Sequence, residues 1–348
     1  MADHTHARSP RGVHGSRSPA AGPTPGPRTA GDRPGRRGRR AGTRVLAGTL
    51  AAALAAGTLV ACGTDGGSTP GAGDRPTVLA TFTILADMTR EIAGDDVEVT
   101  SLTRPGAEVH GYDPSPHDIA AAHDADVIVA NGLGLEHWLD TLTADSDAPR
   151  VTASDGVTPI PIEGSDDPNP HAWMSPRTAR TYVDNIVRGL SEHIPSGADG
   201  FRRRGEEYAR RLDTLQADME TGLSALPRTE RVLVSCEGAF SYLARDAGLS
   251  EGYIWPVNAD GEITPDQIRR AADVVRDNHV PAVFCESTVD QGPKQQLMRE
   301  TGARDGGTLY VDSLTEADGE APTYLDLVRH DTTTIVDGLT GRPAEART

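Results

Sequence analysis

Four residues of this 348-residue chain, His110, His171, Glu237 and Asp312, stand in separate local motifs 61, 66 and 75 residues apart. Their types suit one task, holding a divalent cation. Two neutral imidazoles and two carboxylates offer two nitrogens and up to four oxygens to a transition metal. Each residue ends or closely follows a short apolar run, where parallel α/β sheets present polar groups beyond the carboxyl ends of their strands. His110 lies in "LTRPGAEVHGYDPSPHD", His171 in "DDPNPHAWMSP", Glu237 ends "RVLVSCE" and Asp312 follows "TLYV". Spacing by itself leaves the set open. His117 is seven residues from His110 in the same loop, and Glu286 ends "VFCE" much as Glu237 ends its own run. His123, His137, His193, His279 and His330 read as surface or packing residues, and Asp113, Asp166, Asp167 and Asp260 as turn residues.

The elements that must position these groups alternate between short strands and amphipathic helices. Strand-like runs occur at 77–84, 97–102, 126–131, 231–235, 282–285 and 308–311. Ser175 and Pro176 open a helix whose apolar stripe is Ala179, Tyr182, Val183, Ile186, Val187 and Leu190. Thr264, Pro265 and Gln267 form a capping-box start to a helix reaching about Asn278. Such alternation predicts an α/β fold with parallel sheets covered by helices on both faces. Between 197 and 226 the pattern changes. Phe201, Tyr208, Leu212, Leu215, Met219, Leu223 and Leu226 recur at helical spacing with only Pro227 to end the run. One helix of about 30 residues would span about 45 Å. It divides the chain into two α/β lobes, 77–196 and 227–341, with a tail at 342–348 and a cleft between the lobes where a shared metal would sit.

The amino-terminus bears on compartment. Arg36, Arg37, Arg39, Arg40 and Arg44 precede a charge-free run from Val45 to Ala61, then Cys62 and a Gly/Ser/Thr/Pro-rich linker at 63–76. This is the pattern of a secretory signal ending in the lipobox Leu59-Val60-Ala61-Cys62. The expected product carries lipid on Cys62 and is anchored to the outer face of the cell membrane. The run is short and Ala/Gly-rich for a membrane span. The first 62 residues hold 10 of the 34 basic and 2 of the 51 acidic residues, leaving 24 and 49 beyond them, a net charge of about −25. So acidic a chain excludes nucleic acid as a partner and suits cations. Cys236 and Cys285 lie near the ends of two strand-like runs. Side-by-side strand ends seldom meet disulfide geometry, so their expected role is small buried packing rather than a bridge.

Several motifs together resemble the cluster A-I solute-binding lipoproteins, which serve ABC importers of manganese, zinc or iron. They are the stretch from "VLATFTILADM" through "PGAEVHGYDPS" to "VIVANGLGLEHWL", then "DPNPHAWMSP", "VSCEGAFSYLARDAGL" and "AVFCESTVD...TLYVDSL", in order from about residue 78 to 341. The resemblance implies the ligand set: the histidine after the P-G-A loop is His110, that of the D-P-H-x-W-like element His171, the residue before G-A-F Glu237, and the aspartate of the T-D-S-like element Asp312. It selects His110 over His117 and Glu237 over Glu286. It also implies two lobes joined by one rigid helix, a permease partner, and a monomer that is not an enzyme.

Two departures stand out. Asn169-Pro170 reads as an insertion into D-P-H-x-W, and Cys236 and Cys285 stand where other small or apolar residues are usual. The family's zinc carriers commonly have histidine at the third position, so Glu237 points to manganese first and ferrous iron next, with a zinc carrier as the alternative. The long His- and acid-rich loop of zinc carriers is also missing between the first two elements. A metal-dependent hydrolase would need an open coordination position and a general base, and no HExxH-type helix or nucleophile elbow is present. A surface adhesin without transport is the remaining class.

Overall fold

The computed structural model describes residues 75–257 and 263–341. The signal and lipobox segment with Cys62, most of the 63–76 linker, Asp260 and the 342–348 tail lie outside the described residues. The described residues belong to one compact unit, Gly66–Thr348.

The first half holds β1 (Thr77–Ala80), α1 (Thr83–Ala93), β2 (Glu98–Ser101), α2 (Pro116–Asp124), β3 (Val127–Ala130), α3 (Leu139–Leu142), β4 (Arg150–Thr152) and α4 (Pro176–His193). Its strands form a four-stranded parallel sheet in the order β2-β1-β3-β4. The chain therefore leaves β1 toward opposite edges, which opens a crevice at the carboxyl ends of β1 and its neighbours. The apolar run at 77–84 splits at Ala80, because Ile84 already belongs to α1 and a fully buried helix face is as apolar as a strand. α4 starts as its sequence suggests, with Ser175 Oγ accepting from the N–H groups of Arg177 and Thr178.

The connecting helix α5 spans Ala198–Leu223, 26 residues. At 1.5 Å per residue that is about 39 Å, shorter than the pattern suggested because after Leu223 the chain tightens into three-residue turns, with Ser224 N–H donating to the Thr221 carbonyl and Leu226 N–H to the Leu223 carbonyl. Phe201, Tyr208, Leu212, Leu215, Met219 and Leu223 are buried along one stripe. Each fully buried side chain of this kind contributes about 1.5–3 kcal/mol. α5 lies along α4 and also packs on α1 and on the helix α9 (Tyr324–Thr340).

The second half continues with β5 (Val232–Glu237), α6 (Ser241–Ala247), β6 (Ser250–Trp255), α7 (Pro265–Asp277), β7 (Ala282–Glu286), α8 (Gly292–Thr301), β8 (Arg304–Leu309) and α9 (Tyr324–Thr340). β5 pairs with β6 and β7 with β8, both in parallel. α7 begins with the expected capping box between Thr264 and Gln267. The halves share one continuous apolar core that runs from β1 and α1 through α4 and α5 to α9. Phe82, Trp173, Phe240, Phe284 and Tyr324 are among its fully buried members.

Two sequence expectations are corrected. β4, β6 and the start of β8 escape the apolar-run reading because they are only partly buried and carry polar or glycine residues, as in "RDGGTL". Cys236 and Cys285 are disulfide-bonded, with Cα atoms 4.8 Å apart. β5 and β7 run side by side without a hydrogen-bonded ladder between them among the described residues. The Cα separation is that of neighbouring strands and lies inside the range a disulfide can span.

Candidate metal centre

Four separate segments deliver the four candidate side chains. His110 follows β2 at the end of a loop folded back by Glu108, whose carboxylate accepts from the N–H groups of His110 (2.6 Å) and Gly111 (2.8 Å). His171 precedes a single 3-10 turn, Ala172–Met174, that leads into α4. Glu237 is the last residue of β5, and Asp312 lies three residues beyond β8. Gly238 is needed directly after Glu237, since a Cβ there would lie 2.5 Å from the Pro256 carbonyl oxygen. Its N–H donates to the carbonyls of Trp255 and Pro256, which ties the end of β5 to the end of β6.

The structure brings all four residues to one buried place. Their relative exposures are 8% for His110, 0% for His171, 3% for Glu237 and 2% for Asp312. The Nε2 atoms of His110 and His171 face each other at 3.0 Å. Asp312 Oδ1 lies 3.7 Å from His110 Nε2 and 3.6 Å from His171 Nε2, beyond hydrogen-bond range. One donor atom from each of His110, His171 and Glu237 falls within 4.8 Å of the others, and the same holds for Glu108, His110 and Asp312. Asp312 Oδ1 is buried and accepts no hydrogen bond among the described residues. A buried carboxylate oxygen aimed at two imidazole nitrogens suits a cation placed between them.

Asn169 settles the state of one imidazole. Its Oδ1 lies 2.9 Å from His171 Nδ1 and accepts from the His171 backbone N–H at 3.0 Å, while its Nδ2 donates to the Gly238 carbonyl at 2.6 Å. The amide oxygen can only accept, so Nδ1 carries the proton and Nε2 presents its lone pair to the centre. Trp173 Nε1 donates to the Val311 carbonyl at 3.0 Å, joining the His171 turn to the Asp312 segment. On the other side, Gly106 N–H donates to Ser313 Oγ at 2.8 Å and Leu314 N–H to Thr83 Oγ1 at 3.0 Å.

The electrostatics favour uncharged imidazole facing ionised carboxylate. Burial pushes the His110 imidazole down to about 4, with Asp312 partly opposing and His171 and His137 adding to the shift. Burial would raise the Asp312 carboxyl, but the attraction of His171 and His110 when an imidazole carries a second proton outweighs it, so the carboxyl lies below its ordinary value. Both groups are therefore in their cation-binding protonation state at neutral pH.

The rivals lie elsewhere. His117 is exposed on α2, and His123, His137, His193 and His279 are exposed too. His330 is half-buried and holds the Thr308 carbonyl through Nε2 at 3.0 Å. Glu286 is fully buried, but its two oxygens face the Glu237 backbone N–H, each at 3.3 Å. Complete burial pushes it up to about 8, against the pull of nearby backbone N–H groups. Sequence reading missed Glu108 and Asn169. In D-P-H-x-W the acidic residue stands two positions before the histidine, and in this chain Asn169 stands there, so "NPH" replaces "DPH" rather than interrupting it.

Comparison with known proteins identifies the family. Residues 78–338 match the model of the family described as ZnuA, zinc-uptake complex component A, periplasmic. The chain belongs to this family. Among relatives, the iron-binding protein YfeA of Yersinia pestis is 45% identical over 266 residues, covering 75% of this chain and 86% of YfeA. The manganese-binding lipoprotein MntA of Halalkalibacterium halodurans is 34% identical over 279 residues, covering 80% and 93%. The manganese-bound structure of a periplasmic metal-binding protein from Candidatus Liberibacter asiaticus superposes with a TM-score of 0.73 at 37% identity, over 76% of this chain and 100% of that one. The ZnuA-family fold thus accounts for the α/β halves, the parallel sheets and the long connecting helix. Among the described residues no helix is long and apolar enough to cross a membrane.

Proposed function

We propose that this protein is the solute-binding component of an ABC importer that captures one divalent transition metal outside the cytoplasm, manganese first and ferrous iron next, and delivers it to the permease. The observation that carries this reading is the convergence of two imidazoles and a carboxylate oxygen without a hydrogen-bond partner among the described residues at one buried point. His110, His171, Glu237 and Asp312 are the ligands in this reading. His171 Nε2 offers an oriented lone pair, His110 is neutral near pH 7, and the carboxylates supply charge and oxygen donors. Carboxylate in place of a third imidazole moves the set away from closed nitrogen-rich zinc coordination toward the oxygen-rich coordination of manganese and iron.

The halves 77–196 and 227–341 act as lobes on the α5 strut. The cation bridges them, because His110 and His171 come from one and Glu237 and Asp312 from the other. The permease recognises the bridged form, and docking loosens it. The protein works as a monomer and performs no catalysis, and lipid on Cys62 keeps it at the outer face of the cell membrane.

Element-resolved mass spectrometry tests the reading on stripped protein reloaded from a mixture of manganese, iron and zinc, beside Glu237→His. The expected result is one manganese or iron per chain, shifting toward zinc in the variant. Retention of zinc alone by the wild type would favour the zinc carrier suggested by the name of the family model. No uptake of any metal would overturn the proposal.

A further inference from the structure

The turn that carries His171 is gripped from two directions. Asn169 holds the imidazole, whereas Asn131 holds the backbone, its Nδ2 donating to the Pro170 carbonyl at 3.1 Å and to the Gly132 carbonyl at 2.9 Å. Carbonyl oxygens only accept, so these two bonds fix which way the Asn131 amide faces, and the Tyr182 hydroxyl donates to its Oδ1 at 2.6 Å. The Pro170 carbonyl belongs to the planar peptide unit that ends at the His171 Cα. Holding that oxygen therefore sets the direction in which His171 leaves the backbone. Asn131 is itself anchored. It directly follows β3, and its N–H donates to Glu136 Oε1 at 2.6 Å while Gly132 N–H donates to Glu136 Oε2 at 3.1 Å. Thr81, just beyond β1, donates its hydroxyl to the same Oε1 at 2.7 Å. Asn131 is 0% exposed and Glu136 9%. To close this clasp the chain runs through Gly132, Leu133 and Gly134 with φ of 83°, 53° and 79°. Leucine rarely adopts positive φ, and such a conformation persists only where its surroundings impose it.

We propose that Asn131, anchored by the Glu136 carboxylate, is a positioning residue of the metal centre. It sets the backbone direction of His171, so that the Nε2 lone pair meets the cation without first reorganising the turn. The inference rests on the reading of His171 as a ligand. Asn131 and Asn169 divide the work: one amide fixes the ring and its tautomer, the other fixes the peptide from which the ring projects. Without the Asn131 amide, the Pro170 carbonyl keeps only the Ala172 N–H, a partner inside the same turn. The turn is then no longer tied to the carboxyl end of β3, and the imidazole loses its fixed distance from donors on the other half.

The test compares Asn131→Ala and Asn131→Leu, the second of which fills much the same space, with the wild type in the detergent-solubilised full chain. Leu212→Ala, a buried α5 position outside the network, serves as the control for lost stability. Manganese affinity is read by chelator competition, and the visible absorption of the cobalt-loaded chain reports ligand geometry. Both Asn131 variants should bind manganese about tenfold or more weakly and show altered cobalt bands. Leu212→Ala should melt at lower temperature yet keep the wild-type affinity and bands. A folded Asn131 variant with wild-type affinity and bands overturns the inference. So does a Leu212→Ala chain that loses as much affinity, because the effect would then be one of general stability. If neither Asn131 variant folds, the wild-type chain decides: the Asn131 side-chain amide signal in its nitrogen-15 spectrum should shift on loading with diamagnetic zinc, and an unmoved signal overturns the inference. A wild-type chain that takes up no metal would instead sink the transport reading, and the inference with it.

Discussion

At the scale of single residues, the proposed centre depends on groups outside its ligand set. Asn169 fixes the His171 tautomer and holds the carbonyl next to Glu237, so it orients donors from both halves. Asn169→Ala should lower manganese affinity by about 10–100-fold, the usual effect of removing such a partner. Asn169→Asp, which keeps an acceptor for Nδ1, should restore much of it. Competition with a fluorescent chelator measures both, and equal affinities for the alanine variant and the wild type would remove Asn169 from the centre. His110 makes a second prediction. Its folded value of about 4 lies below the value near 6.5 expected in the unfolded chain, so the unfolded state binds more protons as pH falls between them. The resulting stability is fully present above pH 6.5 and is lost as pH falls toward 4, an effect of about 3 kcal/mol at 1.36 kcal/mol per pH unit. His110→Asn should flatten urea-unfolding stability over that window.

At the scale of elements, α1, α4, α5 and α9 form the frame that holds the lobes. Gly205 lets α5 approach α4 closely, since a Cβ there would lie 2.4 Å from Val187 Cγ2. Gly205→Ala gains about 1 kcal/mol of helix propensity and meets about 1–3 kcal/mol of overpacking. The net expectation is a melting temperature lower by a few degrees, and an unchanged or higher one would mean that α4 yields without cost. Asp87 on α1 caps α9, its Oδ2 accepting from Tyr324 N–H at 2.8 Å. Burial raises its carboxyl to about 6, against the pull of that hydrogen bond. A raised acid contributes stability that is complete below its unfolded value near 4 and is lost as pH rises through about 6. Asp87→Asn keeps the acceptor and should abolish this fall, so that the melting temperature at pH 7 relative to that at pH 4 is higher than in the wild type.

At the scale of the whole molecule, the halves are already strapped together around the site. Trp173 to Val311, Gly106 to Ser313 and Leu314 to Thr83 are hydrogen bonds between distant parts of the chain. With a common core and a continuous α5 as well, metal binding should tighten an existing arrangement rather than swing two free lobes. Small-angle scattering should therefore show little change in radius of gyration on loading, while stability rises. Manganese at 100 times its dissociation constant should add about 2.7 kcal/mol, visible as a higher melting temperature that excess chelator reverses. A large compaction on loading would show that the straps open in solution.

Local patterns along the chain determined much of this protein. Apolar runs placed the interior strands, Ser175 and Thr264 marked two helix starts, and the 3.6-residue stripe from Phe201 to Leu223 disclosed α5, because burial of one face leaves a period in the sequence. Residue types alone left His110 against His117 and Glu237 against Glu286 open, and only likeness to a family chose between them. Tertiary structure decided the rest. It brought together side chains 61 to 75 residues apart and turned Glu286 toward the Glu237 backbone. It also built polar end strands such as β8, joined Cys236 to Cys285, and made Asn169 the partner of His171. These are pairings through space between groups whose own neighbours in sequence carry no sign of them. A period is written along one dimension, whereas a hydrogen bond, a bridge or a shared cation exists only once the chain has folded back on itself.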